Sequence, residues 1–260
     1  MIRIGIGGWT FEPWRGAFYP SDLKQADELR YASRALTAIE INGTFYSTPK
    51  PGSCAKWAAE TPDDFVFSVK ASRYIVNRKE LATAQESIER FMASGLEDMG
   101  AKLGPILWQL PPFKKFEAED IAGFFKLLPK KVGKLKLRHA IEVRHASFAV
   151  PEFIALARKH NVAIVLVDSE KHPLIADVTS DFVYARLERC REELPEGYPP
   201  AELKTWAARA TTWAKGETPK GLDLIGDKPE KTPRDVFMFM ISGDKVRAPA
   251  AAQALIKLVK

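Results

Sequence analysis

Cysteine is nearly absent. Cys54 and Cys190 are the two in 260 residues, and neither belongs to a CxxC or Cys/His grouping. Two isolated thiols exclude a disulfide framework and a thiolate zinc site, and they suit a reducing cytoplasm, the expected location. Histidine is scarce as well: His139, His145, His160 and His172 are scattered, and His160 lies in a helical stretch where it reads as a surface residue. No metal-binding set is assigned on that basis. One Mg²⁺ or Mn²⁺ held by Glu40, Glu142 or Asp168 stays open as an alternative, and the sequence names no cofactor. Long hydrophobic runs are missing too. No stretch approaches the roughly 18 apolar residues of a membrane span, and the opening Met1-Ile2-Arg3-Ile4-Gly5 has no charged segment followed by a long apolar one. Neither a membrane partner nor export is expected. An acidic excess is also lacking. Lys and Arg number 39 against 33 Asp and Glu, a net charge of +6, which favours an anionic partner such as a phosphorylated small molecule or nucleic acid. Much of the lysine falls in two segments, 126–136 and 215–231, that read as solvated surface.

What the chain does have is apolar material, 46% of its residues, and no Pro/Gly/Ser-rich linker. The expectation is one domain over 1–260 without internal repeats. Residues 2–6 form a β-branched run that ends at Gly7-Gly8-Trp9, followed by an aromatic loop and a helix expected over 21–36. Residues 38–42 read as a second strand, 53–60 as a helix and 65–70 as a third strand. A long helix over 83–100 and an apolar strand over 106–110, stopped by Pro111-Pro112, come next. Helices over 118–128, 151–160, 201–215 and 249–259 alternate with strands around Glu142 and over 163–168, 182–187 and 236–241. Eight strand and helix units with nearly continuous apolar strands indicate a parallel sheet covered by helices, an α/β fold of the TIM-type (β/α)8 barrel. An open doubly wound sheet is the rival, but the first strand lacks the GxGxxG spacing of a dinucleotide site.

The chemistry concentrates at the strands' C-terminal ends, where a barrel of this kind binds its ligands. Glu142 and Arg144 stand two apart, so in a strand they share one face, and two charges there suggest a cleft. Glu40, Asn42, Lys70, Gln109, Asp168, Arg186, Glu188 and Ser242 fall at corresponding ends, whereas the opposite ends are largely apolar. Glu40 and Glu142 are the candidate acid and base, since paired carboxylates serve proton transfer and glycoside hydrolysis. Lys70, Arg144 and Arg186 could instead clamp an anion. Trp9, Asn42, Tyr46, Gln109 and Asp168 complete the candidate ligand-binding set, with the loop aromatics able to stack a sugar or an unpaired base.

Six segments in order then resemble the DUF72 family, also called YecE-like: GWTFEPWRGAFYP from Gly8, EINGTFYSTP from Glu40, FVFSVKA from Phe65, LWQLPPF from Leu107, AIEVRHASF from Ala140 and APAAAQAL from Ala248. The resemblance implies a TIM-like barrel, likened in fold to the endonuclease IV and xylose isomerase group, and a family without an established activity. Three places depart from the family pattern. Val76-Asn77 stands where a Thr-His pair is common, Glu188-Arg189 where His-Gly usually follows Arg-Leu, and Met240-Ile241-Ser242 where Phe-Asn-Asn usually ends the last strand. The chain is therefore identified as a divergent member. Three functions are expected to compete: an enzyme or binding protein for an anionic ligand, a carbohydrate-active hydrolase using Glu40 and Glu142, and a non-catalytic scaffold with a degenerate site.

Overall fold

The computed structural model describes residues 1–260. Strands β1 (Ile2–Gly7), β2 (Ala38–Ile41), β3 (Val66–Lys70) and β4 (Leu103–Gln109) pair in parallel, each neighbouring the next. A short antiparallel hairpin, β5 (Lys131–Val132) with β6 (Leu135–Lys136), follows outside the main sheet. Strands β7 (His139–Glu142), β8 (Val162–Ile164), β9 (Leu166–Asp168), β10 (Phe182–Leu187) and β11 (Asp235–Met240) complete it, and β11 pairs with β1. The two outermost strands, β8 and β9, are separated only by Val165 and lie at opposite ends of the sheet order. The chain from 162 to 168 thus binds β7 with its first half and β10 with its second. Eight strand positions close into a parallel barrel through this one split strand.

Where the split strand lacks a partner, a side chain supplies one. Thr179 Oγ1 accepts from the Ile164 N–H at 2.9 Å and donates to the Val162 carbonyl at 2.6 Å. Thr37 does the same for Ile4, accepting at 2.7 Å and donating at 3.0 Å. Backbone groups buried without partners would otherwise cost about 1–3 kcal/mol each.

The helices are α1 (Glu28–Ala35), α2 (Ser53–Glu60), α3 (Arg73–Val76), α4 (Gln85–Met92), α5 (Ala118–Leu127), α6 (Pro151–Lys159), α7 (Pro200–Ala214) and α8 (Ala248–Val259). Proline in the first turn starts the last three, where its missing N–H costs nothing and its φ is already helical. Their apolar faces and the outward strand residues form the main core. Inside the barrel a second, smaller core combines Ala38, Ala140 and Ala163 with Phe182, Tyr184, Phe237 and Phe239. Small residues among aromatic ones fill a narrow lumen without overpacking. Gly5 belongs to the same scheme, because a Cβ there would lie 1.8 Å from the Ala38 carbonyl oxygen of the neighbouring strand.

Besides the split of the strand expected over 163–168 into β8 and β9, the barrel, the strand ends and most helices follow the sequence reading with four local differences. The first helix begins at Glu28, after a 3-10 turn over Gln25–Asp27, because Arg15 takes the Leu23 carbonyl at 2.7 Å and the Glu28 carboxylate at 2.8 Å and holds the preceding chain in loop form. The expected helix over 83–100 breaks after Met92, where Gly95 adopts a φ of 90° that no helix allows. The α3 turn and the β5–β6 hairpin carry too few residues to show a period. No helix is long and apolar enough to cross a membrane.

Candidate functional site

The floor of the site is built from strand residues that point into the barrel. β2 contributes Glu40, β3 Ser68 and Lys70, β4 Gln109, β7 Glu142, and β10 Tyr184 and Arg186, each two residues from an inward neighbour. Arg186 is the hub. Its Nε and Nη2 donate to the two oxygens of Glu40, each at 3.1 Å, and its Nη1 donates to Glu142 Oε2 at 2.6 Å and to Glu188 Oε1 at 3.0 Å. Tyr184 donates its hydroxyl to Glu40 Oε2 at 2.7 Å and lies 2.7 Å from Ser68 Oγ, which donates in turn to the Pro105 carbonyl. Glu142 Oε1 accepts from Gln109 Nε2 at 2.9 Å and from Arg144 Nε at 2.6 Å.

Both Glu40 and Glu142 have no exposed surface. Burial alone would raise the Glu142 carboxyl, but Arg186, Arg144 and the Gln109 amide outweigh it and bring it down to about 2. Arg186 stays charged: burial works against its cation, and the three carboxylates more than restore it. Tyr184 is pushed well above the usual phenol range by burial and then by Glu40.

Above this floor opens a cavity of about 980 Å³. Five cationic side chains line it, Lys50, Lys70, Arg144, Arg186 and Lys245, against the single carboxylate of Glu188. Lys70, the last residue of β3, is nine-tenths buried and carries its ammonium 4.4 Å from the centre of the Phe45 ring. Burial, and then the Arg186 cation, lowers its amine to about 8 despite the opposing pull of Glu40 and Glu142. Lys245 sits 4.3 Å from the Phe11 ring, and burial lowers its amine as well. Glu188 is shifted up by burial, in part against Arg186. Aromatic surface comes from Trp9, held edge-on to Trp57 with centroids 5.4 Å apart, and from the exposed Tyr46. Gly7 and Gly8 let the backbone pass close below: a Cβ at Gly7 would lie 2.8 Å from Asn42 Nδ2, and Gly8 has a φ of 73°.

Of the residues singled out from sequence, Trp9, Asn42, Tyr46, Lys70, Gln109, Arg144 and Arg186 line one cavity. Glu40 and Glu142 lie beneath it and touch Arg186 in place of open space. Asp168 does not face the cavity. Its neighbour Val167 points into the barrel, so Asp168 turns outward, 3.5 Å from Arg189 Nη1, and burial raises its carboxyl. No group of three or more His, Cys, Asp or Glu side chains is placed so that it could hold a metal ion. Glu188 was named among the strand ends but given no role, and its i+2 spacing from Arg186 is the same signal that marks Glu142 and Arg144. Trp57, Lys50 and Lys245 come from α2 and from irregular segments, where spacing predicts no direction.

Comparison with solved structures agrees with this architecture. A DUF72 family protein from Thermotoga maritima superposes with a TM-score of 0.78 at 24% identity, covering 100% of this chain and 99% of that one. A DUF72 family protein from Enterococcus faecalis gives 0.73 at 19% identity, covering 100% and 95%. A xylose isomerase-like TIM barrel/4-hydroxyphenylpyruvate dioxygenase fusion protein gives 0.53 at 14% identity over 96% of this chain and 41% of the fusion. These likenesses are of fold. In sequence, UPF0759 protein YunF of Bacillus subtilis is 26% identical over 158 residues, 59% of this chain and 54% of YunF, so the match spans about half of that relative's length. The model of the family described as "Protein of unknown function DUF72" matches residues 3–260. With its barrel fold and residues 3–260 in agreement with that family, the chain belongs to DUF72.

Proposed function

We propose that the C-terminal face of this barrel binds an anionic ligand, a phosphorylated small molecule or a short stretch of nucleic acid. Lys70 and Arg144 take the anion, Lys245 closes one side, and Trp9, Trp57 and Tyr46 offer rings to a planar or sugar portion. The observation that carries this reading is the charge left over at the cavity wall. Glu40 and Glu142 are taken up by Arg186 and Arg144, and Lys70 is left facing a phenyl ring with no carboxylate in ion-pair contact. A cation held this way at a cavity is compensated most readily by an incoming anion.

In this reading Glu40 and Glu142 fix the guanidinium of Arg186 and do not themselves transfer protons. A carbohydrate-active hydrolase would require both carboxylates to reach the scissile bond from opposite sides. Their complete burial and full hydrogen bonding support that alternative less well. The test is a melting series in chloride, inorganic phosphate, a nucleoside monophosphate and an oligothymidylate at equal ionic strength. Phosphate-bearing compounds are expected to raise the melting temperature, and Lys70→Met is expected to remove the rise. Equal melting in chloride and in every phosphate compound would sink the proposal.

A further inference from the structure

Lys70 is suited to chemistry on carbon as well as to charge. It ends β3 with its stem enclosed and its tip open to the cavity, on the ring of Phe45 and near the cations of Arg186 and Arg144. An amine so placed gives up its proton more readily than a solvated one. With its value near 8, the free amine at pH 7 exceeds that of an exposed lysine on the order of a hundredfold. Only the unprotonated amine is a nucleophile.

The geometry points to Lys70 as a nucleophile that forms an imine with an aldehyde or ketone borne on a phosphorylated substrate, an inference that rests on the anion site proposed above. The Nζ lone pair adds to the carbonyl carbon and the carbonyl π pair moves onto oxygen; Nζ sheds one proton and the oxygen takes one up, giving a neutral carbinolamine. The hydroxyl then takes up a second proton and leaves as water while the Nζ lone pair forms the C=N bond, so the product is the protonated imine and the second proton comes from solvent. Glu188, the one carboxylate on the cavity wall, is the group available to carry the first proton from nitrogen to oxygen. The sequence needs no oxidant or reductant. Arg144 and Lys245 are available for the phosphate, and about 980 Å³ leaves room for a small sugar phosphate.

The test uses the full chain with glycolaldehyde phosphate and sodium borohydride, which reduces the imine to a stable secondary amine, followed by peptide mass mapping. Lys70 is expected to be modified at least about tenfold faster than exposed lysines such as Lys56 and Lys136, with a rate that levels off above pH about 8 while theirs still climbs. Inorganic phosphate is expected to slow labelling at Lys70 and not at the surface, and Lys70→Arg is expected to show only surface labelling. Labelling spread over exposed lysines with Lys70 no faster overturns the inference. A phosphate-dependent melting rise without a Lys70 adduct also overturns it and leaves the anion site standing. A rapid Lys70 adduct that phosphate neither slows nor accompanies with a melting rise supports the nucleophile and removes the anion site.

Discussion

Glu40 and Arg186, 146 residues apart in sequence, meet inside the barrel as a bidentate pair with both N to O distances at 3.1 Å. The same guanidinium holds Glu142 at 2.6 Å, so one side chain of β10 ties β2 to β7 across the lumen. The planar fork makes this arrangement available to arginine and not to lysine, whose ammonium is a point charge.

Removing that fork would leave the buried Glu40 without a cation and Glu142 with Arg144 alone. Arg186→Ala is expected to destabilise the protein by about 3–5 kcal/mol, the usual cost of breaking a buried pair from one side. Arg186→Lys should recover only part of it. Urea unfolding of the three proteins measures this, and a loss under about 1 kcal/mol in Arg186→Ala would mean that Glu40 and Glu142 find other partners or protonate.

Arg144 behaves differently because Glu142 keeps Arg186 and Gln109 when it is gone. Arg144→Ala is expected to cost about 1 kcal/mol of stability, in line with a partly exposed pair. It should nevertheless abolish the protection by phosphate, which at 100 times its dissociation constant would amount to about 2.7 kcal/mol in the unaltered protein. A large melting loss in Arg144→Ala, rescued by adding Glu142→Gln, would mark the pair as architecture.

Acid should weaken the fold in two steps. The Trp108 indole N–H can only donate, so His139 Nδ1, 3.1 Å away, accepts and Nε2 carries the proton given to the Pro129 carbonyl at 2.8 Å. Burial lowers this imidazole from 6.5 to about 4. Between those values the unfolded chain binds the extra proton, so stability falls as pH drops through that window, by up to roughly 3 kcal/mol. Glu142, lowered from 4.5 to about 2, adds a second loss as pH falls through its own window. Melting from pH 7 to pH 3 should show both, and His139→Gln should flatten the first. An unchanged profile in that variant would assign the upper step elsewhere.

Gly5→Ala is expected to be among the costliest single-methyl additions in the chain. Its Cβ would overlap the Ala38 carbonyl, a backbone atom that cannot swing aside, so β1 and β2 would have to separate. A loss above about 2 kcal/mol is expected from such overpacking, measured by denaturant unfolding. A variant as stable as the parent would show that the two strands slide freely.

The order of strands and helices was legible because each strand is a short apolar run bounded by glycine, proline or a charged end. Spacing also brought out Glu142 with Arg144 and the inward set on β2, β3 and β10, since alternation fixes which face a strand residue takes. It misdirected at Asp168, which ends a strand broken at Val165 and turns outward toward Arg189. Sequence gave no means to tell that Glu40 and Glu142 would share one arginine, because a contact across 146 and 44 residues depends on how the barrel closes. For the same reason Lys70 and Lys245 could be named as cations but not as neighbours of Phe45 and Phe11.

The hydroxyl of Thr179 also sets how the barrel can close. Where a strand divides between two neighbours, some of its backbone groups face a gap that no strand fills, and in the interior no water replaces the missing partner. Thr179 takes up the donor of Ile164 and the acceptor of Val162, both buried. Val at that position would keep the shape and volume while orphaning both groups, so exchanging one oxygen for a methyl would be felt at the point where the sheet meets itself.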